Sequence, residues 1–264
     1  MTRDRSTYER KASYYDQYAP YFETVAPALD TEKGPSEERE LEFYVEQARA
    51  ANGPVLEIGC GRGRVYLELL QAGVDAYAID LSTGMLRRLR ERAAELGVEP
   101  AVRKEAMQTF TPQREYGAVF LPGRVFIHAL SRAEQRRTLE NAYEALVPGG
   151  TFVCDFYPMD LVAVAERSGT EREVTFEHEG ERHAMRASEE IVDRVHNVVC
   201  GSRTIENADG TVVAEMTTEV KLVTKDEFAS LLELVGFTDW ELYGDYESNP
   251  HESVEQKLIW VADR

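Results

Sequence analysis

From Pro54 onward, short apolar runs alternate with amphipathic segments, and this alternation restricts the fold more than any other feature of the chain. PVLEIG (54–59), DAYAIDL (75–81), AVRKEA (101–106), GAVFLP (117–122) and GTFVCDF (150–156) read as strands. VYLELLQAG, MLRRLRERAAELG and SRAEQRRTLENAYEALVPGG between them read as helices. The last opens on a Ser131-to-Glu134 capping box and closes on Pro148-Gly149-Gly150. Strands joined through helices run parallel and are covered on both faces, so the class is α/β, doubly wound.

The flanks differ. Residues 1–50 read as helices, with Tyr14, Tyr15, Tyr18, Tyr21 and Phe22 at helical spacing, Leu41, Tyr44 and Ala48 on a second apolar face, and TEKGPSEE (31–38) as the break. Beyond about residue 168 the period becomes two. One hairpin turns at Glu179-Gly180 and another at Asn207–Gly210. A Thr224-to-Glu227 capping box then starts the helix DEFASLLELVG, and DWELYG and KLIWVA supply two last strands. The expected division is 1–50 helical, 51–168 α/β core, 169–223 antiparallel β insertion, and 224–264 returning to the core.

Composition excludes several classes. With 48 acidic against 30 basic side chains the formal net charge is −18, which argues against a phosphate-tracking nucleic-acid binder. No apolar run approaches the ~18 residues of a membrane span, and MTRDRSTYER is no signal peptide. Cys60, Cys154 and Cys200 are too scattered for a disulfide framework or a zinc knuckle. His178 and His183 lack the spacing of a helical zinc pair, so no metal is expected. A cytoplasmic protein follows from these readings.

The sharpest local signal is Glu57-Ile58-Gly59-Cys60-Gly61-Arg62-Gly63, leaving the first core strand and opening the first core helix. Glycines at alternate positions let the backbone turn tightly and approach a ligand. Asp80, at the end of the second strand, is positioned to accept both hydroxyls of a ribose. A dinucleotide oxidoreductase is the competing reading. Its fingerprint needs glycine where Arg64 stands, and Glu57 would repel a pyrophosphate. An acid at that place suits a cationic ligand.

These residues resemble the class I S-adenosylmethionine-dependent methyltransferases. VLEIGCGRGR is similar to the family's first motif, AIDLSTGML to its second, KEAMQTF to its adenine-contacting segment and LVPGG to the turn before its fifth strand. Tyr14-Tyr15-Asp16 and the closing GDYESNPHESVEQKLIWVADR are similar to small-molecule members, including sugar-amine and glycine N-methyltransferase-like enzymes. The resemblance implies a Rossmann-like, mostly parallel seven-stranded sheet with an N-terminal helical lid and the β insertion. It implies S-adenosyl-L-methionine as cofactor and methyl transfer to N or O of a small-molecule acceptor by a monomer or homodimer. Glu57 would hold the methionyl ammonium, and Gly59, Cys60, Gly61 and Gly63 would line the methionyl moiety. Asp80 would bind the ribose, with Leu81 and Met85 on the adenine and Ala106, Met107 and Gln108 at its edge. Leu121 would close the pocket near the sulfonium, and Tyr15 would cap the donor from the lid. Two positions depart from the pattern: Arg62, commonly a small residue, and Ala106, often Asp.

Displacement at a sulfonium needs alignment and exclusion of water, and a base only where the nucleophile carries a proton. His128, after the fourth strand, is the candidate base. Arg124 is a candidate for an acceptor carboxylate or phosphate, and Tyr14 for a pocket phenol. Tyr157 reads as rim packing, His251 as solvated and Cys60 as a small packing residue. RNA or protein as acceptor, and a cofactor-binding relative without turnover, stay open as alternatives. LPGR (121–124) lacks the signature of base N-methyltransferases.

Overall fold

A computed structural model describes residues 5–21, 24–25, 36–158 and 160–264. Phe22 and the break through residue 35 lie outside the described residues. Helices α1 (Arg5–Tyr18) and α2 (Ser36–Ala50) precede the core. The core runs β1 (Val55–Ile58), α3 (Tyr66–Gln71), β2 (Ala76–Asp80), α4 (Thr83–Leu96), β3 (Ala101–Lys104) and β4 (Tyr116–Leu121). A 3₁₀ turn (Val125–His128), α5 (Arg132–Ala145) and β5 (Leu146–Phe156) follow.

The chain then enters α6 (Leu161–Arg167) and the strands β6 (Glu171–His178), β7 (Glu181–Asp193), β8 (Val198–Glu206) and β9 (Val212–Lys221). It returns through α7 (Lys225–Val235), β10 (Asp239–Tyr243) and β11 (Leu258–Asp263). The main sheet has seven strands in the order β3, β2, β1, β4, β5, β11, β10, parallel through β5 and antiparallel beyond it. This is the Rossmann-like architecture expected. Central β1 and β4 are buried along their whole length, as strands covered on both faces must be. Strand order reverses between β1 and β4, so the chain leaves their carboxyl ends in opposite directions and opens a crevice there.

Local chemistry explains the boundaries, including those the sequence misplaces. Ser131 and Glu134 form a reciprocal capping box at α5. Thr224 makes only half of one. Its hydroxyl accepts Glu227 N, while the Glu227 carboxylate turns to Lys221 Nζ at 2.6 Å. Helix α5 stops at Ala145, and β5 begins at once. Pro148-Gly149-Gly150 is absorbed as a bulge between the pairings Tyr116–Leu146 and Ala118–Thr151. Helix α6 is not legible as a period, yet Asp160 caps it by accepting Val162 N and Ala163 N.

The two expected hairpins fuse into one four-stranded meander, because β7 continues to Asp193 and pairs with β8. Glu179 and Gly180 both have positive φ, the conformation of a tight hairpin turn. Two apolar clusters cover the faces of the main sheet. A third joins Tyr14, Tyr18, Ala19 and Val25 to Met85 of α4 and to Phe176, Met185, Ile205, Ala214 and Met216 of the insertion. The N-terminal segment is therefore clamped between core and insertion, over the crevice.

Candidate active site

The glycine loop leaves β1 at the crevice. Gly61 has φ 53°, and no atom lies within 4 Å of where its Cβ would stand. Gly63 has φ 85°, and a Cβ there would fall 2.8 Å from Leu67 Cγ and 2.9 Å from Leu89 Cγ. One glycine keeps space open toward the crevice; the other lets α3 and α4 close behind the loop. Gly59, where the 3₁₀ turn crosses, meets Val125 in the same way. Cys60 packs in the core, its thiol pushed up by burial.

Two acids flank the loop. Asp80 accepts Gly61 N at 2.8 Å on one carboxylate oxygen and Ser82 N at 2.7 Å on the other. Burial raises its pKa against those hydrogen bonds. Glu57 is 2% exposed, and its Oε2 has no hydrogen-bond partner. Burial pushes its pKa to about 8, with the charge of Arg64 pulling the other way. Arg64 is held through Nη2 by Glu40 at 2.5 Å, while its Nη1 is buried and unpartnered. A buried carboxyl oxygen and a buried guanidinium nitrogen thus stand in one neighbourhood, each without its partner. A ligand with an ammonium, a carboxylate and a ribose diol fits those two atoms, the open face of Gly61 and the Asp80 carboxylate.

At the carboxyl end of β3 lies an open cavity of about 740 Å³ lined by Leu81, Arg103, Lys104, Glu105, Ala106 and Thr109, among others. Glu105 Oε2 is buried and unpartnered there. Gln108 is buried nearby in sequence. Met107 packs into the main core, where its carbonyl accepts Asn141 Nδ2 at 3.1 Å. Leu121 is fully buried in the same core cluster, and Met85 lies under Tyr14 and Tyr18. The carbonyl of Arg62 accepts Arg92 Nη1 at 3.1 Å.

Helix α1 forms the roof. Tyr15 Oη meets His128 Nε2 at 2.8 Å, and Lys11 Nζ donates to the His128 carbonyl. Asp16 Oδ1 accepts Ser82 Oγ at 2.6 Å and Gly84 N at 2.7 Å, which ties the roof to the first turn of α4. Arg203 of β8 donates to Tyr14 Oη, and its guanidinium stands 4.7 Å over the Tyr18 ring. Burial lifts the Tyr14 phenol to about 12 and lowers His128 to about 3, where Lys11 and Arg124 add to the effect.

Arg124 caps the 3₁₀ turn at φ 67°, its guanidinium 6.0 Å from the ring of the half-exposed Tyr157. His251 is half-buried with Nε2 unpartnered, not solvated. Among the described residues no group of three or more His, Cys, Asp or Glu side chains is placed to hold a metal ion. His178 and His183 instead pack with Tyr21, 4.7 and 5.9 Å from its ring.

The sequence pattern did not single out Arg64, Glu40, Lys11, Arg203 or Glu105. Nothing periodic marks them. A buried or clustered charge next to a glycine loop was the available signal.

A doubly wound sheet with a glycine loop and a ribose-type acid at its switch point defines a nucleoside-binding α/β protein. Residues 55–150 match the family model of a methyltransferase domain. The chain is 27% identical to the glycine/sarcosine N-methyltransferase of Aphanothece halophytica, over 85% of this chain and 82% of that one. Its fold is similar to the CcbJ methyltransferase of Streptomyces caelestis, with a TM-score of 0.73, 23% identity and coverage of 96% of this chain and 98% of that one. It is similar too to an amino pentose methyltransferase of Micromonospora echinaspora solved with S-adenosylmethionine bound, with a TM-score of 0.62, 21% identity and coverage of 91% and 96%. The chain thus carries a methyltransferase domain over residues 55–150 and shares the fold of S-adenosylmethionine-dependent methyltransferases. No helix among the described residues is long and apolar enough to cross a membrane.

Proposed function

We propose that the enzyme transfers a methyl group to the nitrogen of a small-molecule amine, with residues 1–50 acting as lid and 169–223 as the acceptor-side wall of the 51–168 core. The observation that carries this reading is that Glu57 Oε2 and Arg64 Nη1, near the Gly61–Asp80 link, are both buried without a partner. Glu57 holds the donor's ammonium and Asp80 its ribose, while Gly59, Cys60, Gly61 and Gly63 shape the methionyl path. Leu81 and Met85 pack toward the base, and Ala106, Met107 and Gln108 form its edge. Glu105, one residue before Ala106, offers the carboxylate that Ala106 lacks. Leu121 supports the floor from the core. S-adenosylmethionine supplies, when bound, a methyl group activated on a sulfonium.

The chain's own residues align the acceptor and keep water out. Tyr15, Lys11 and Asp16 fasten the lid over the crevice, and Tyr14 presents an un-ionised phenol. A histidine whose conjugate acid has a pKa near 3 stores a proton poorly, so His128 positions Tyr15, and the amine arrives as its free base. Arg124 stands at the acceptor's entrance. A small acceptor, not nucleic acid, is supported by the net charge of −18, and three unpaired cysteines fit the cytoplasm. The test is release of S-adenosylhomocysteine on adding a low-molecular-weight amine fraction. Release no faster than without acceptor contradicts the proposal.

A further inference from the structure

Beside the glycine loop, a chain of charged side chains crosses one face of the main sheet. Arg64 Nη2 donates to Glu40 Oε1 of α2 at 2.5 Å, and Lys257 Nζ stands 3.5 Å from the other oxygen of that carboxylate. The same ammonium donates to Tyr246 Oη at 2.8 Å and lies 3.8 Å from Asp155 Oδ2 of β5. Asp155 is anchored in turn, its Oδ1 accepting Tyr44 Oη at 2.7 Å and Gly123 N at 2.9 Å. Resting on the methyl-transfer reading above, we infer that Glu40 and Lys257 are positioning residues for the donor. They hold Arg64 so that its Nη1 receives the donor's carboxylate beside the ammonium on Glu57.

Three observations lead there. First, Glu40 engages only Nη2, and Nη1 is buried without a partner. A buried donor left open costs free energy that an arriving carboxylate oxygen recovers. Second, Glu57 stands on the face of the sheet that carries the network. Glu57 pairs with Phe120 and Phe120 with Val153, and Val153 and Asp155 point to the same side of β5. The charges of Arg64, Glu40 and Asp155 all reach the Glu57 carboxyl. Third, Glu40 is 5% exposed and Asp155 fully buried, so the acids of the network are taken out of water. Buried ion pairs add little net stability over apolar packing. What this network adds is direction.

An arginine near a bare carboxyl group would otherwise turn onto it and fill the place of the ligand's ammonium. Lys257 occupies one oxygen of Glu40 and leaves the other for Nη2, which ties Arg64 to α2 and away from Glu57. An amino-acid end carries its ammonium and its carboxylate on one carbon. An acid and a guanidinium nitrogen held apart in one neighbourhood receive both.

The experiment is calorimetric titration of the full chain with S-adenosylhomocysteine and with its decarboxylated analogue, which keeps the ammonium and the nucleoside. The unmodified protein is expected to bind the analogue about 10- to 100-fold more weakly, the range of a charged hydrogen bond. Arg64→Met should abolish that difference. Lys257→Met and Glu40→Gln are each expected to weaken S-adenosylhomocysteine binding about tenfold and to leave the analogue within about twofold, and Lys257→Arg to restore most of the loss. Glu40→Gln keeps the shape of the side chain, so the test stands even where Lys257→Met does not fold. A merely structural network would weaken binding of both ligands together, and that result overturns the inference. Equal affinity of the unmodified protein for the two ligands overturns it as well. If the unmodified protein binds neither, the methyl-transfer reading itself fails, and the inference with it.

Discussion

The Tyr15 phenol and the His128 imidazole meet at 2.8 Å across the seam between the N-terminal helix and the core. Both side chains are half-buried, and His128 Nδ1 is buried without a partner, so this bond joins α1 to the core through the one ring nitrogen that is engaged. Tyr15→Phe is expected to cost about 1–3 kcal/mol, the price of an orphaned buried nitrogen. For a chain of this size that is roughly a 2–10 °C drop in Tm by calorimetry. An unchanged Tm would mean the seam does not hold the lid.

The same histidine gives a pH signature. Its pKa falls from 6.5 to about 3 on folding, so its contribution to stability is complete above 6.5 and is lost as pH falls toward 3. His128→Gln should therefore flatten the acid limb of a denaturation profile between pH 6.5 and 3. A limb of unaltered slope would count against a neutral, buried imidazole.

Gly61 and Gly63 separate folding from binding. Gly61→Ala places a methyl in open space at φ 53°, costing about 1–2 kcal/mol of backbone strain while obstructing the donor path. It should remain folded and bind S-adenosylhomocysteine at least tenfold more weakly. Gly63→Ala drives a methyl into Leu67 and Leu89, so it should lower Tm markedly. Equal effects of the two substitutions on Tm would contradict this division.

How much of this was legible depended on range. The α/β alternation, the glycine loop, Asp80 and the Ser131 cap are written in contiguous residues, and the fold follows them. The Thr224 box failed because Lys221 competes for Glu227, and the β5 start failed because a bulge, not a turn, absorbs Pro148-Gly149-Gly150. Arg203 meeting Tyr14, Glu40 meeting Arg64 and Asp16 capping α4 join residues far apart in the chain. No local period encodes such contacts.

Asp16 ties α1 to the first turn of α4. Asp16→Ala removes acceptors for Ser82 Oγ and Gly84 N. Hydrogen exchange should quicken across residues 5–21 while β1 and β4 keep their protection. Uniformly slow exchange would argue that the roof is held without it.

Glu57 offers a chemical readout of where the donor's ammonium goes. Its carboxyl, near pKa 8 in the free protein against 4.5 unfolded, favours folding at low pH, a contribution lost as pH rises through 8. A bound ammonium reverses that preference and expels the proton. Calorimetric titration with S-adenosylhomocysteine at pH 7, in buffers of different ionisation enthalpy, measures this directly. The account predicts release of nearly one proton per site in the unmodified enzyme and none in Glu57→Gln, which should also bind more weakly. Tight binding with no proton release, or the same release from Glu57→Gln, would contradict the placement of the donor on Glu57.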